Sequence, residues 1–411
     1  MQKFGLIGKT LKHSYSKTIH NLLGDYSYDL VELEEDKVKD FVLSKEYHGY
    51  NVTIPYKQTV IPYLDEVDKS ALDIGAVNTV VNKNGKLIGY NTDIFGMKYA
   101  LDRAGIRLNG KVVLILGSGG TSKTATALAK QEKAKEIIVL SREGKVNYQN
   151  YFEQKEVQIV INTTPVGMFP NNYDCKIDLD KFEKLEGVFD AVYNPDLTYL
   201  TYTAKKLGVK YSNGLPMLVA QAKGAMQLFF DKQIDDDIIQ KVLQKLKKET
   251  LNIVLIGMSG CGKSSVGKLL AKELGREFVD TDTLIEEREN RDIPTIFKDS
   301  GEPYFRQVEK AVLKDQGKLT GKVIATGGGV IKDKDNYFPL KQNGVIIYLK
   351  RDIEKLERKG RPLSTDLGAV KKLFEERKEL YQNFADIVVD NNGQIQNTVK
   401  EILDKYESFS D

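Results

Sequence analysis

Cysteine is nearly missing: Cys175 and Cys261 are the two in 411 residues, too few for a disulfide framework, and their scarcity fits a reducing cytoplasm. Charge of one sign is missing as well. Lys and Arg (61) nearly balance Asp and Glu (58), and the formal net charge of +3 makes no electrostatic case for nucleic acid. No run approaches the roughly 18 apolar residues of a membrane span. Met1 to Thr10 lacks the basic stretch and long apolar core of an export signal. Internal repeats, coiled-coil heptads and low-complexity tracts are lacking too. These absences leave a soluble, cytoplasmic chain whose expected partners are small molecules, with no nucleic acid and no membrane. At 411 residues it is too long for one core, so two or three domains are expected.

The most fully specified stretch is Gly257-Met258-Ser259-Gly260-Cys261-Gly262-Lys263-Ser264, which follows the apolar run Ile253 to Ile256 and leads into a helical pattern. It fits G-x-x-x-x-G-K-[ST] at every position. Glycines let such a loop curl so that successive N–H groups face phosphate oxygens, and the helix N-terminus behind adds partial positive charge. Gly260, Cys261, Gly262 and Ser265 are expected around the phosphates of a nucleoside triphosphate. Lys263 supplies a point charge and Ser264 a magnesium ligand.

The first ninety residues carry several polar clusters. A short strand, Phe4 to Ile7, runs into His13-Ser14-Tyr15-Ser16 and an amphipathic segment from Lys17 to Leu23. Ser16 reads equally as an N-cap or, with Ser14, as an anion site at the helix start. In Asn51-Val52-Thr53-Ile54-Pro55-Tyr56-Lys57 the alternation places Asn51 and Thr53 on one strand face. Ala76-Val77-Asn78-Thr79-Val80-Val81 is another strand bearing an amide, Asn82 to Gly85 reads as a hairpin turn, and Asn91-Thr92-Asp93 sets a carboxylate at a strand end.

Further along, Lys111 to Leu116 is a buried-strand run that enters Gly117-Ser118-Gly119-Gly120-Thr121-Ser122, a dinucleotide-type turn with Ser122 at the third glycine. The next strand, Glu136 to Leu140, ends in Ser141-Arg142. A cation there favours the 2′-phosphate of NADP over the bare ribose of NAD, although Glu143 would repel it if it pointed inward. Strands follow at Gln158 to Asn162 and Gly187 to Val192. A long helix opens after Asn213-Gly214, and Lys247 to Asn252 is the best boundary between domains.

Beyond the phosphate loop, Asp280-Thr281-Asp282 reads as a strand end with both carboxylates on one face, one suited to a magnesium water and the other to a substrate hydroxyl. Phe305-Arg306, with Glu309 one turn on, precedes Gly327-Gly328-Gly329 at another strand end. Arg361-Pro362-Leu363 and Arg377 follow.

In order, the clusters from His13 to Asp93 resemble the signature set of shikimate dehydrogenases, and the segment from Asn252 to about Glu401 resembles shikimate kinase. The first resemblance implies that Ser14 and Ser16 hold a carboxylate, that Asn51, Thr53, Asn78 and Asp93 meet ring hydroxyls, and that Tyr193 and Gln221 also touch substrate. Lys57 and Asp93 become the catalytic pair. Gly117, Ser118, Gly119, Gly120, Thr121, Ser141, Arg142, Ala191 and Gly214 face NADP(H). The second implies that Arg306, Gly328, Gly329 and Arg377 bind shikimate with Asp282, that Lys263, Asp282 and Arg361 act on the transferring phosphoryl group, and that Ser264 and Asp280 hold Mg²⁺ beside ATP.

The implied fold is α/β. A two-lobed dehydrogenase spans 1–248, with a substrate lobe at about 1–94 plus 214–248 and a Rossmann-like NADP lobe at about 95–213. A P-loop domain with a parallel sheet, of the nucleoside-monophosphate-kinase type, spans 249–411. The expected activity is NADPH-dependent reduction of 3-dehydroshikimate, then ATP-dependent phosphorylation of shikimate. Use of quinate by the first half, or loss of catalysis in one half, are the alternatives.

Overall fold

The computed structural model describes residues 2–11, 14–357 and 367–409. His13, Arg358 and Arg361 lie outside the described residues. Contacts divide the chain into two compact units, 1–193 with 198–246, and 194–197 with 247–411.

Two sheets build the first unit. The first comprises β1 (Phe4–Gly8), β2 (Tyr28–Glu32), β3 (Gly49–Val52), β4 (Glu66–Val67), β5 (Thr79–Lys83) and β6 (Lys86–Tyr90), in the order β2-β1-β3-β5-β6-β4. Strand β1 pairs parallel with β2 and β3, whereas β5 runs antiparallel to both β3 and β6. The β5–β6 hairpin turns at Asn84 and Gly85, whose φ values of 55° and 84° suit the twist of a two-residue turn.

The second sheet holds β7 (Val112–Leu116), β8 (Glu136–Leu140), β9 (Ile159–Asn162), β10 (Gly187–Asp190) and β11 (Lys210–Ser212), in the order β8-β7-β9-β10-β11 and parallel throughout. Its order reverses between β7 and β9, which makes a crevice at the carboxyl ends of those strands. All five residues of β7 are buried, because a parallel strand is covered on both faces; hence its unbroken apolar run. The helix Leu215–Phe230 then packs on the helix Asp93–Arg103. At that crossing a Cβ on Gly96 would come within 2.5 Å of the Met217 carbonyl oxygen, so only glycine fits. Pro216 sits in the first helical turn, where its missing N–H costs no bond.

The second unit is built on β12 (Asn252–Ile256), β13 (Phe278–Asp280), β14 (Val323–Ala325), β15 (Gly344–Lys350) and β16 (Ile387–Asp390), ordered β13-β14-β12-β15-β16 with every pair parallel. Its core gathers Ile253, Leu255, Leu270, Ile324, Ile347 and Tyr381. Both units are therefore α/β. Among the described residues no helix is long and apolar enough to cross a membrane.

Five local expectations are corrected. Strand β5 begins at Thr79, so Asn78 precedes the strand instead of lying on it. Strand β3 ends at Val52, so Thr53 does not share a strand face with Asn51. Strand β6 ends at Tyr90, and Asp93 opens a helix instead of closing a strand. Ser16 is the first helical residue and not the cap; Tyr15 takes the cap position, and the Ser14 hydroxyl accepts from the Ser16 N–H at 3.2 Å. Asp280 and Asp282 do not alternate along one strand. Strand β13 stops at Asp280, whose carboxylate accepts the Asp282 N–H at 3.1 Å and caps the helix Thr281–Glu289. An acidic side chain that can bond to the backbone two residues on favours a helix start over a longer strand.

Candidate active sites

In the first unit, a cleft of about 400 Å³ is lined from the first sheet's side by Ser14, Ser16, Asn51, Thr53, Lys57, Asn78 and Asp93. The second sheet and the helix Leu215–Phe230 contribute Thr121, Ala191, Tyr193, Gly214 and Gln221. The sequence scattered these residues over some two hundred positions. At the centre, the Lys57 ammonium donates to Asp93 Oδ2 at 2.6 Å, with the Asp93 side chain 4% exposed. Asn78 Nδ2 donates to Asp93 Oδ1 at 2.7 Å and to Thr92 Oγ1 at 3.0 Å, while its own Oδ1 accepts the Thr92 N–H at 2.8 Å. Burial without water makes such bonds obligatory. Burial also pushes the Tyr193 phenol up to about 12, which keeps it a hydroxyl at neutral pH.

The glycine turn read as nucleotide-binding follows β7. Gly117 takes φ 107°, and a Cβ there would lie 2.9 Å from both Thr163 Oγ1 and Thr164 Cγ2. Added Cβ atoms on Gly119 and Gly120 would meet nothing within 4 Å, so the turn presents open backbone at the start of the helix Gly120–Gln131. That is a fitting cradle for a pyrophosphate. Ser118 belongs to the same turn. Ser141 and Arg142 stand at the carboxyl end of β8, with Arg142 and Glu143 both exposed. Gly214 is obligatory for a different reason: a Cβ would run into the Ala191 carbonyl oxygen, which fixes the return helix against the end of β10.

Sequence reasoning missed the buried group behind that strand end. Asp190 accepts from Asn162 Nδ2 at 2.8 Å, from the Val192 N–H at 3.0 Å and from Thr198 Oγ1 at 2.7 Å. Burial raises its pKa to about 6 against those bonds.

In the second unit, a cleft of about 430 Å³ brings the phosphate loop together with Asp280, Asp282, Arg306, the triple glycine and Arg377. Gly257, Gly260 and Gly262 adopt φ of 147°, 83° and 96°, the left-handed freedom that the curled loop requires. Lys263 Nζ donates to the loop carbonyls of Gly257 at 2.8 Å and Met258 at 3.0 Å. Ser264 Oγ donates to Asp280 Oδ2 at 2.6 Å, so a hydroxyl and a carboxylate suited to Mg²⁺ already touch. Cys261 is buried, and its carbonyl accepts from Asn391 Nδ2 at 2.6 Å; Ser265 lines the cleft.

Arg306 is held by two acids. Its Nη1 donates to Glu309 Oε2 at 2.8 Å and its Nη2 to Glu302 Oε1 at 3.0 Å. Arg377, buried, donates to the Gly328 carbonyl at 3.1 Å, which also accepts from Tyr381 Oη at 2.5 Å. Among the described residues, Asp282 Oδ1 and Glu309 Oε1 are buried with no hydrogen-bond partner. Both converge on Gly327, where a Cβ would lie 2.8 Å from one and 2.9 Å from the other. Burial, then the Asp280 charge, push Asp282 up to about 6; burial raises Glu309 as well. Glu309 was legible only as an acid at helical spacing from Arg306, and Glu302 was not read at all.

A polar cleft between a mixed sheet and a doubly wound nucleotide sheet, followed by a parallel P-loop sheet, defines a two-lobed dehydrogenase joined to a small-molecule kinase. The family model for the shikimate dehydrogenase substrate binding domain matches residues 6–80, and that for shikimate kinase matches residues 259–407. Shikimate dehydrogenase (NADP(+)) of Clostridium perfringens (strain 13 / Type A) is 35% identical over 268 residues, 60% of this chain and 99% of that one. The chain belongs to the shikimate dehydrogenase family and carries a shikimate kinase domain behind it.

Solved structures agree. A chorismate mutase/shikimate 5-dehydrogenase fusion protein from Clostridium acetobutylicum matches with TM-score 0.58 at 33% identity, covering 60% of this chain and 97% of that one. Shikimate 5-dehydrogenase from Thermus thermophilus, in complex with NADP(H) and shikimate, matches with TM-score 0.54 at 27% identity, covering 59% and 98%.

Proposed function

We propose that residues 1–248 reduce 3-dehydroshikimate to shikimate with NADPH and that residues 249–411 phosphorylate the 3-hydroxyl of shikimate with ATP. The observation that carries the first half is the Lys57–Asp93 contact of 2.6 Å inside a cleft also lined by Ser14 and Ser16. Gly117 to Thr121 would cradle NADPH and Arg142 would meet its 2′-phosphate; when bound, the cofactor would supply the hydride. Lys57 stabilises the developing alkoxide and delivers its proton, and Asp93 holds the ammonium in place. Ser14 and Ser16 take the substrate carboxylate. Asn51, Thr53, Asn78, Tyr193 and Gln221 take the remaining polar groups.

For the second half, the orphaned Asp282 oxygen is the supporting feature. ATP with Mg²⁺ supplies the phosphoryl group. Asp282 accepts the proton of the attacking hydroxyl, Arg306 and Arg377 face the substrate carboxylate beside Gly328 and Gly329, and Lys263 offsets charge on the phosphates. Ser264 and Asp280 would hold the metal, their side chains being already in contact at 2.6 Å. Arg361, outside the described residues, is assigned to the closing loop by resemblance. The two free cysteines and the small-molecule chemistry support a cytoplasmic setting.

One reaction tests both halves. With 3-dehydroshikimate, NADPH and Mg-ATP, loss of NADPH absorbance should precede ADP formation, and omitting NADPH should abolish ADP formation until shikimate is added. NADPH loss with no ADP under any of these conditions would sink the kinase assignment, and ADP from shikimate with no NADPH loss would sink the reductase.

A further inference from the structure

Asn391 directly follows β16 and has no part in the chemistry above. It is 3% exposed and lies behind the phosphate loop, on the wall of a second cavity of about 270 Å³ and not in the cleft that gathers Asp282 and Arg306. Its Nδ2 donates to the Cys261 carbonyl at 2.6 Å, and among the described residues no other hydrogen bond reaches that oxygen. A backbone carbonyl only accepts, so it dictates that the amide turns its nitrogen this way. The far end agrees: Asn391 Oδ1 accepts from Thr398 Oγ1, on the helix Ile395–Phe409, at 2.8 Å.

The amide is presented from a fixed platform. Asn391 N–H donates to the Lys350 carbonyl at 2.8 Å, which carries the pairing of β15 with β16 one residue further. Beside it, Asn392 Nδ2 donates to Asp390 Oδ2 at 2.9 Å and to Asp352 Oδ1 at 3.1 Å. A group held at a sheet end in this way is placed more precisely than one on a free loop. What it holds is a peptide that glycine leaves undecided. Gly262, at φ 96°, has no side chain to restrict it, and a Cβ there would lie 2.7 Å from Asn391 Nδ2. Lys263 bonds the carbonyls of Gly257 and Met258, earlier in the loop, and does not reach this one. The Cys261–Gly262 peptide is trans, so its N–H points away from its carbonyl. Turning the carbonyl back onto Asn391 therefore turns the Gly262 N–H forward, toward the cleft that Gly262 also lines.

We infer that Asn391 is a positioning residue of the kinase site: backed by Thr398, it sets the Cys261–Gly262 peptide so that its N–H faces the phosphates of the nucleotide. This rests on the reading that the loop holds the phosphates of ATP. Asn391 thereby contributes to phosphate binding without touching the phosphates.

The test uses the full chain in steady-state kinase assays, with inorganic tripolyphosphate as a competitor of ATP that carries phosphates and no nucleoside. Asn391→Ala should raise KM for ATP and the inhibition constant of tripolyphosphate alike, by about fivefold to tenfold, the effect of one hydrogen bond, with KM for shikimate within about twofold. Thr398→Val keeps the shape and removes only the hydroxyl behind the amide. It should move the same two constants in the same direction by about twofold to threefold, and it decides the matter if Asn391→Ala does not fold. A higher KM for ATP with an unchanged tripolyphosphate constant would place Asn391 against the nucleoside, across the second cavity, and would overturn the inference. So would an equal rise in KM for shikimate, the mark of a generally loosened unit, and so would parent-like constants in both variants. If tripolyphosphate does not compete with ATP in the parent, the reading of the loop fails and the inference with it.

Discussion

The two clefts treat buried polar groups in opposite ways. In the first unit Lys57, Asp93, Asn78 and Asn51 are bonded to one another or to the backbone. The second unit leaves Asp282 Oδ1 and Glu309 Oε1 buried and orphaned around Gly327. An unpaired buried oxygen costs free energy that a bound hydroxyl can return. The difference fits the chemistry of each half: a proton donor works best held beside its counter-ion, whereas a base that must accept a proton works best raised and unsatisfied.

The sharpest way to break the comparison is to remove each lysine. Lys57→Ala should lower turnover of 3-dehydroshikimate by about 10²–10⁴-fold while ADP formation from shikimate continues at the parent rate, and Lys263→Ala should do the reverse. Steady-state assays of both activities on each purified chain read this directly; a parent-like reductase in Lys57→Ala would end its assignment.

Next is Glu309→Ala, which leaves Arg306 with Glu302 alone. Breaking such a buried pair costs about 3 kcal/mol, to be seen as a lower unfolding midpoint of the second unit together with a raised KM for shikimate. A shift confined to the first unit would be unexpected.

Protonation gives a third contrast. The folded-state pKa of Asp190 lies at about 6, above the ordinary 3.8. Its contribution to stability is thus fully present below pH 4 and is lost as pH rises through 6, by at most about 3 kcal/mol. Thermal unfolding of the first unit followed from pH 4 to pH 7 should show this decline, and Asp190→Asn should flatten it. A decline of equal size in the variant would assign it to another group.

The smallest expected effect is also the most discriminating. Asp282→Asn should abolish kinase turnover yet stabilise its unit by about 1 kcal/mol, because an amide can donate toward Glu309 Oε1. Asp93→Asn should destabilise its unit, because it weakens the Lys57 pair. Calorimetry of the two variants would contradict the comparison if both shifts had the same sign.

Much of this was legible in the sequence. The phosphate loop specifies its own backbone, so Gly257 to Ser264 could be read outright, and β7 and β12 were visible as apolar runs because both of their faces are covered. Strand ends were harder. Asp93, Asp282 and Ser16 were misplaced because each sits where a strand or loop becomes a helix, and the outcome there depends on one side-chain bond that periodicity does not report. The partners of the site residues were hardest of all. Glu309 was visible only through its spacing from Arg306, and Glu302, which holds the same guanidinium from the other side, was not read at all.

The run Gly327-Gly328-Gly329 holds one last consequence. A methyl group on the first would press on two carboxylates, on the second would meet Ser259 Oγ at 2.5 Å, and on the third would collide with the Arg306 guanidinium. Four neighbours thus crowd three successive positions, each on independent grounds. In a saturation-mutagenesis map of kinase activity this would appear as a three-codon trench that no single compensating change could fill. Any drift of this cleft toward other substrates would have to begin elsewhere on its wall, at an apolar residue such as Phe297.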